Sequence, residues 1–272
     1  MTDEVLDDRG MSEALAARLE RIAREVAAEW GLSLGPRMEA GRYSYVAPAG
    51  EAAILKVIPD EDESASQQAD ALSFWAGDGA VRLLRHDARR RALLLERLVP
   101  GTEAAAVGED EAIAAAVAVG RRIWRPAPSG HRFPTLRDDV ARWLPDDAAH
   151  PLAASARVAY AKIAPRVDTV LHADLHHHNI LRRGEEWVAI DPKPLVGEPE
   201  YDIPPFLWNP LEGASTRERT ERRIRAFADA GLDGDRIRTW AIVRGVMLGM
   251  PSRPWRPIVH DRAPFRVVRH LL

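Results

Sequence analysis

The chain contains no cysteine, which excludes disulfides and any zinc site built on thiolates, and fits a reducing compartment. No apolar run approaches the roughly 20 residues that a membrane-spanning helix needs. Met1–Arg9 is acidic and lacks the apolar segment of a secretory signal. Charge of one sign is also missing: the net value is −3 over 272 residues, so no global field favours nucleic acid or a membrane surface. Lysine is scarce. Of 38 basic residues only Lys56, Lys162 and Lys193 are lysines, and the rest are arginine. Most of that is the coding bias of an Ala- and Arg-rich chain. A lysine kept against the bias marks a position that wants a compact ammonium, which the planar guanidinium does not reproduce. These absences predict a soluble, cytoplasmic chain, monomeric or weakly dimeric, long enough for one large domain or two lobes.

The most informative stretch runs from His172 to Asp202. Two apolar runs, Ile180–Leu181 and Trp187–Ile190, flank a segment with Gly184 in its middle, the pattern of a short hairpin. Pairing the runs brings Asn179 near Asp191 and leaves Asp174 at the hairpin's mouth. Two carboxylates and a carboxamide are hard oxygen donors, better suited to Mg²⁺ shared with phosphates than to zinc. The run His176–His178 invites a zinc reading, yet three consecutive side chains cannot all face one metal.

H-x-D-x-x-x-x-N followed by an apolar hairpin and I-D resembles the aminoglycoside phosphotransferase and protein-kinase-like superfamily. The continuation I-D-P-K-P-x-x-G-E-P-x-Y-D is similar to its streptomycin 6-phosphotransferase and hydroxyurea phosphotransferase branch. The resemblance implies an α+β, bilobal kinase-like fold, with a small antiparallel-sheet lobe over residues 1–98 and a mostly helical lobe over 99–272. It implies ATP and Mg²⁺, with Asp174 facing a hydroxyl of a small-molecule acceptor, Asn179 and Asp191 as metal ligands, and Asp202 bracing the catalytic loop. It makes Gly41 and Ser44 part of the loop over the nucleotide phosphates, and gives the adenine main-chain groups of Glu96, Arg97 and Leu98. This branch often has glycine where Ala173 and His178 stand.

The rest of the chain is compatible. Met11–Gly31 carries Leu15, Leu19, Ile22 and Val26 at helical spacing between Ser12 as cap and Gly31 as stop, and packing against the first sheet is its expected role. Strands are expected over 41–46, 52–58, 80–84 and 92–98. Lys56 stands inside an apolar strand, where its amine must find an anion; the resemblance offers nucleotide phosphates. A helix over Ser64–Gly77, capped by Ser64, puts Gln68 where kinase relatives commonly have glutamate, so the partner of Lys56 is left open. Helices are expected over 109–124, 136–144, 152–167, 203–209, 216–231 and 235–250, followed by a Pro- and Arg-rich tail over 251–272. Arg217–Arg225 reads as a solvated face. Lys193 either serves the site or pairs with a carboxylate such as Glu198, while Glu198 and Glu200 are candidates for meeting a cationic acceptor. Three other readings stay open: a kinase of a sugar or other metabolite, a metal-dependent hydrolase using His172, Asp174 and the histidines, and a nucleotide-binding pseudoenzyme.

Overall fold

The computed structural model describes residues 6–7, 10–38, 44–62, 64–144, 151–210, 215–249 and 263–272. In the N-terminal lobe, α1 (Glu13–Trp30) begins at Ser12, whose hydroxyl accepts from Leu15 N–H, and ends at Gly31, whose φ of 69° is the left-handed stop. Its stripe of Leu15, Leu19, Ala23 and Val26 is buried against Tyr45, Ala47, Leu55 and Val57. Each fully buried Leu or Val there contributes about 1.5–3 kcal/mol. The last four lie on β1 (Tyr45–Ala49) and β2 (Ala53–Val57). With α2 (Ala65–Trp75), β3 (Leu83–Asp87) and β4 (Ala92–Glu96) they complete a four-stranded antiparallel sheet of order β1-β2-β4-β3.

The third strand starts later than its apolar residues suggest. Ala80 and Val81 are recruited elsewhere: Val81 N–H donates to Ala189 O at 2.8 Å, and Ala189 N–H donates to Gly79 O at 2.9 Å. Ser64 also departs from expectation. It precedes α2 but makes no capping bond to it; its hydroxyl is held by Asp62 at 2.5 Å and accepts from Gln68 Nε2 at 3.0 Å.

The second lobe is mostly helical. After β5 (Pro100–Glu103) come α3 (Glu109–Ile123), β6 (Arg125–Pro126), α4 (Leu136–Trp143) and α5 (Pro151–Lys162), which ends earlier than its apolar pattern suggests. Next are β7 (Thr169–Leu171), β8 (Ile180–Arg183), β9 (Glu186–Ala189) and β10 (Leu195–Gly197). The chain continues through α6 (Pro204–Trp208), α7 (Arg217–Asp229), α8 (Gly234–Gly249) and α9 (Ala263–Leu271). Within the stretch read as a Pro- and Arg-rich tail, α9 buries Phe265, Val267 and Val268. It packs on α8, where a Cβ at Gly249 would overlap the Phe265 ring and one at Gly245 would press on Val268. Glycine there sets how closely the two helices approach. None of the described helices is long and apolar enough to cross a membrane.

The arginines of α7 are not all solvated. Arg223 is 1% exposed; it holds Glu109 of α3 with two nitrogens and donates to the carbonyls of Phe206, Leu207 and Asn209. Burial alone would raise the Glu109 carboxyl, but hydrogen bonds and charge from Arg223 and Arg219 outweigh it and bring it from 4.5 to about 2. The folded value lies below the unfolded one, so this stabilisation is complete above pH 4.5 and is lost as pH falls from there through 2. Glu109→Gln is expected to cost about 2–3 kcal/mol at pH 7 by leaving a buried guanidinium short of its counter-charge. Urea denaturation as a function of pH checks it. The penalty should shrink below pH 4.5, and a pH-independent penalty would show that the carboxylate charge is not what Arg223 holds.

Candidate active site

The geometry of the loop that starts at His172 begins with Asp202, which is fully buried. Its carboxylate accepts from His172 N–H at 3.0 Å, Ala173 N–H at 2.5 Å and Trp124 Nε1 at 2.9 Å. That grip holds Ala173 at φ 58°, a left-handed conformation costing an alanine roughly 1–2 kcal/mol. Glycine adopts it freely. His172 is buried and neutral: burial pushes its pKa down against the nearby carboxylates. Its Nδ1 accepts from Asp174 N–H at 3.2 Å, which puts the ring proton on Nε2, facing Ile190 O at 2.8 Å. One imidazole thus ties the start of the loop to the end of the hairpin.

The hairpin forms as its pattern implies. In antiparallel register Ile180 faces Ala189 and Arg183 faces Glu186, with Gly184 at φ 57° in the turn. Ile190 N–H donates to Asn179 O at 2.9 Å. The carboxamide of Asn179 donates to Asp174 O at 2.9 Å, leaving its Oδ1 as an oxygen donor. Asp191, itself at φ 55°, meets the other lobe: Lys56 Nζ lies 2.5 Å from its Oδ1 and 3.1 Å from Gln68 Oε1. Burial would raise the Asp191 carboxyl, but the charges of Lys56 and Lys193 outweigh it and hold it well below the usual carboxylate range. Gln68 therefore occupies the register that its sequence position suggests, and anchors Lys56 through a neutral amide oxygen.

Lys193 pairs with Asp62 at 2.7 Å, not with Glu198. Glu198 and Glu200 are both taken up by partners within the protein. Glu198 is fully buried and is held by Arg166, Arg236 and Trp240 Nε1, while Glu200 meets Arg166 at 2.9 Å. The three histidines diverge. His176 Nδ1 accepts from His178 N–H, His177 stacks on Phe206 at 3.7 Å, and His178 Nδ1 faces Glu103 at 2.7 Å. Such divergence does not fit a zinc centre. Among the described residues no three His, Cys, Asp or Glu side chains converge on one point. Asn179 and Asp191 instead offer two hard oxygens on the same hairpin, few enough to leave coordination positions for phosphate and water, which fits Mg²⁺.

Where the chain passes between lobes, Glu96 N–H donates to Arg82 O at 3.0 Å and Arg97 N–H to Ala52 O at 2.8 Å. The Glu96 carboxylate is occupied by Arg82 N–H and Arg183. Leu98 N–H has no hydrogen-bond partner among the described residues, so of the three amides it is the one available to a ligand. Ser44 directly precedes β1, at the end of the strand pair where Val46 faces Lys56; Gly41 lies outside the described residues. Asp62, Ser64, Trp124 and Glu103 were not foreseen as parts of this centre. The first pair had a signal in D-x-S ahead of a helix, an Asx turn in which Ser64 N–H donates to Asp62 Oδ1 at 2.9 Å.

Comparisons with known proteins agree with this geometry. Residues 30–253 match the family model described as aminoglycoside/hydroxyurea antibiotic resistance kinase. The chain is 33% identical over 256 residues to streptomycin 6-kinase of Streptomyces griseus, covering 85% of this chain and 82% of that one. It is 34% identical over 245 residues to hydroxyurea phosphotransferase of Kitasatospora aureofaciens, covering 83% and 70%. In fold it is similar to a choline kinase of Streptococcus pneumoniae, with TM-score 0.66, 12% identity and coverage of 94% and 99%. It is also similar to an aminoglycoside phosphotransferase solved with ADP and hygromycin B, with TM-score 0.57, 16% identity and coverage of 92% and 97%. The α+β bilobal fold is the protein-kinase-like one, and the chain belongs to the aminoglycoside/hydroxyurea antibiotic resistance kinases, enzymes that phosphorylate a hydroxyl acceptor.

Proposed function

We propose that this chain transfers the γ-phosphoryl group of ATP to a hydroxyl of an antibiotic-like acceptor, a streptomycin-type aminoglycoside or hydroxyurea, and so confers resistance. One observation carries the reading: an ammonium from one lobe, Lys56, lies 2.5 Å from Asp191 of the other, on the hairpin that also bears Asn179 and follows Asp174. In this reading the lobes divide after Leu98. The adenine edge meets Leu98 N–H and the main-chain carbonyls around Glu96 and Arg97, while Gly41 and Ser44 cover the phosphates and Lys56 neutralises them. Asn179 and Asp191 hold Mg²⁺, which supplies further neutralisation of the triphosphate. Asp174 orients the acceptor hydroxyl in line with the γ-phosphorus and takes its proton. Through a loose transition state of this kind, positioning and charge stabilisation supply most of the rate.

The diverging histidines argue against the hydrolase reading. The Gln68–Lys56 bond argues against the pseudoenzyme reading, since the lysine remains anchored without a glutamate. The enzyme works in the cytoplasm, where ATP is available, as a monomer or weak dimer. The test is ADP release in the presence of streptomycin, hydroxyurea and simple sugars. Stimulation of at least about a hundredfold by one of the first two, in the range expected from a positioned general base, is the predicted result. Stimulation by a sugar alone would move the acceptor class, and none by any would overturn the reading.

A further inference from the structure

Two of the three lysines of this chain belong to one connected set of polar contacts, and the mechanism above uses only one of them. Lys193 is fixed from two sides. Its backbone N–H donates to His172 O at 2.8 Å, which anchors it to the catalytic loop. Its ammonium meets Asp62 at 2.7 Å and reaches Ser64 Oγ at 3.5 Å. Asp62 belongs to the other lobe and is itself immobilised, because its second oxygen accepts from both Ser64 N–H and Ser64 Oγ.

These contacts form a continuous polar path. It runs from Lys56 through Gln68, Ser64 and Asp62 to Lys193, with Asp191 pairing Lys56 at the other end. The carboxylate that α2 lacks at Gln68 is present three residues before the helix, at Asp62, where it holds a different ammonium. An ammonium has three N–H donors, and the protein groups facing Lys193 engage two of them. The Lys193 side chain is 38% exposed, and its charge interacts with both Asp191 and Asp174. In the chain it stands two residues after Asp191, the proposed metal ligand, and its N–H is bonded to the carbonyl of His172, two residues before the proposed base Asp174.

We propose that Lys193 is a second cation for the triphosphate, one that contacts the γ-phosphate, and that Asp62 is its positioning residue. The inference rests on the ATP-kinase reading above. Lys56 serves the α- and β-phosphates and Lys193 the group being transferred, so that developing charge on the γ-oxygens meets an ammonium already in place. Arginine would not substitute freely at this position, since the site uses a compact donor held by one carboxylate.

The experiment compares calorimetric binding of ADP and of the non-hydrolysable β,γ-imido analogue of ATP to the wild type, Lys193→Met and Asp62→Asn. Losing a charge-assisted hydrogen bond to the γ-phosphate is expected to weaken the analogue about tenfold or more in Lys193→Met and to change ADP by less than about twofold. Asp62→Asn should shift the same ratio in the same direction by about threefold, because the ammonium loses its guide and not its charge. A structural role alone would weaken both nucleotides alike or lower the melting temperature without changing their ratio, and either result overturns the proposal. If Lys193→Met fails to fold, Asp62→Asn decides by the same ratio. Wild type that binds both nucleotides, with variants that keep its ratio, refutes this inference alone. Wild type that binds neither refutes the kinase reading beneath it.

Discussion

Replacing Asp174 with asparagine is expected to lower phosphoryl transfer by about 10³-fold, within the range supplied by a positioned general base, while leaving nucleotide affinity within about twofold. That loss corresponds to about 4 kcal/mol of transition-state stabilisation at 1.36 kcal/mol per decade. The geometry makes the substitution clean. The Asp174 side chain is 38% exposed, and His176 Nε2, on an imidazole whose pKa burial pushes down, lies 3.9 Å away. The loop is held by main-chain atoms of Asp174, its N–H on His172 and its carbonyl on Asn179. Asparagine keeps the shape and these main-chain bonds, and loses the negative charge and with it the ability to take a proton. Single-turnover phosphate transfer with the preferred acceptor, alongside ADP titration, separates chemistry from binding. Full turnover in Asp174→Asn would remove this residue from the reaction.

Asp202→Ala is the change expected to affect both stability and rate. Three buried donors, His172 N–H, Ala173 N–H and Trp124 Nε1, lose their acceptor together, and each unsatisfied donor costs about 1–3 kcal/mol. Without that grip only the Arg244 bond to Ala173 O at 2.7 Å is left to oppose the left-handed cost at Ala173, so the loop relaxes and carries Asp174 with it. We expect a loss of about 3–5 kcal/mol in unfolding free energy. Measured well below the melting temperature, kcat should fall about 10²-fold, the order associated with a misplacement near 1 Å. Urea midpoints and kcat check the two parts separately. A variant with the wild-type midpoint and wild-type kcat would show that Asp202 braces nothing.

The site was legible in the sequence wherever its parts are close in the chain. The Ile180–Ala189 hairpin, with Asn179 and Asp191 at its base, follows from two apolar runs and the glycine between them, and the Ser12 and Gly31 caps from local rules. Lys56 stood out because an amine in an apolar strand requires a partner. What escaped depended on pairings across long separations. Asp62 and Lys193 are 131 residues apart, and Glu198 is buried beneath arginines that lie 32 and 38 residues away. Composition gives no means of telling such a glutamate from a solvated one. The same holds for Arg223, on a helix whose other charges suggested exposure. The final helix was missed for a different reason: Phe265, Val267, Val268 and Leu271 carry its apolar stripe, but the arginines and prolines around them mask the period.

The backbone bridge between Gly79–Val81 and Ala189 bears on how substrates enter. It stitches the two halves of the molecule together two residues from Asp191, and Arg183 reinforces the seam by bonding Gly77 O and Glu96. Any swing wide enough to admit a nucleotide must pivot about this stitch, because crossing it would strip main-chain hydrogen bonds from a buried strand. The Lys56–Asp191 ion pair lies beside this seam, which fixes the end of the hairpin that carries Asp191.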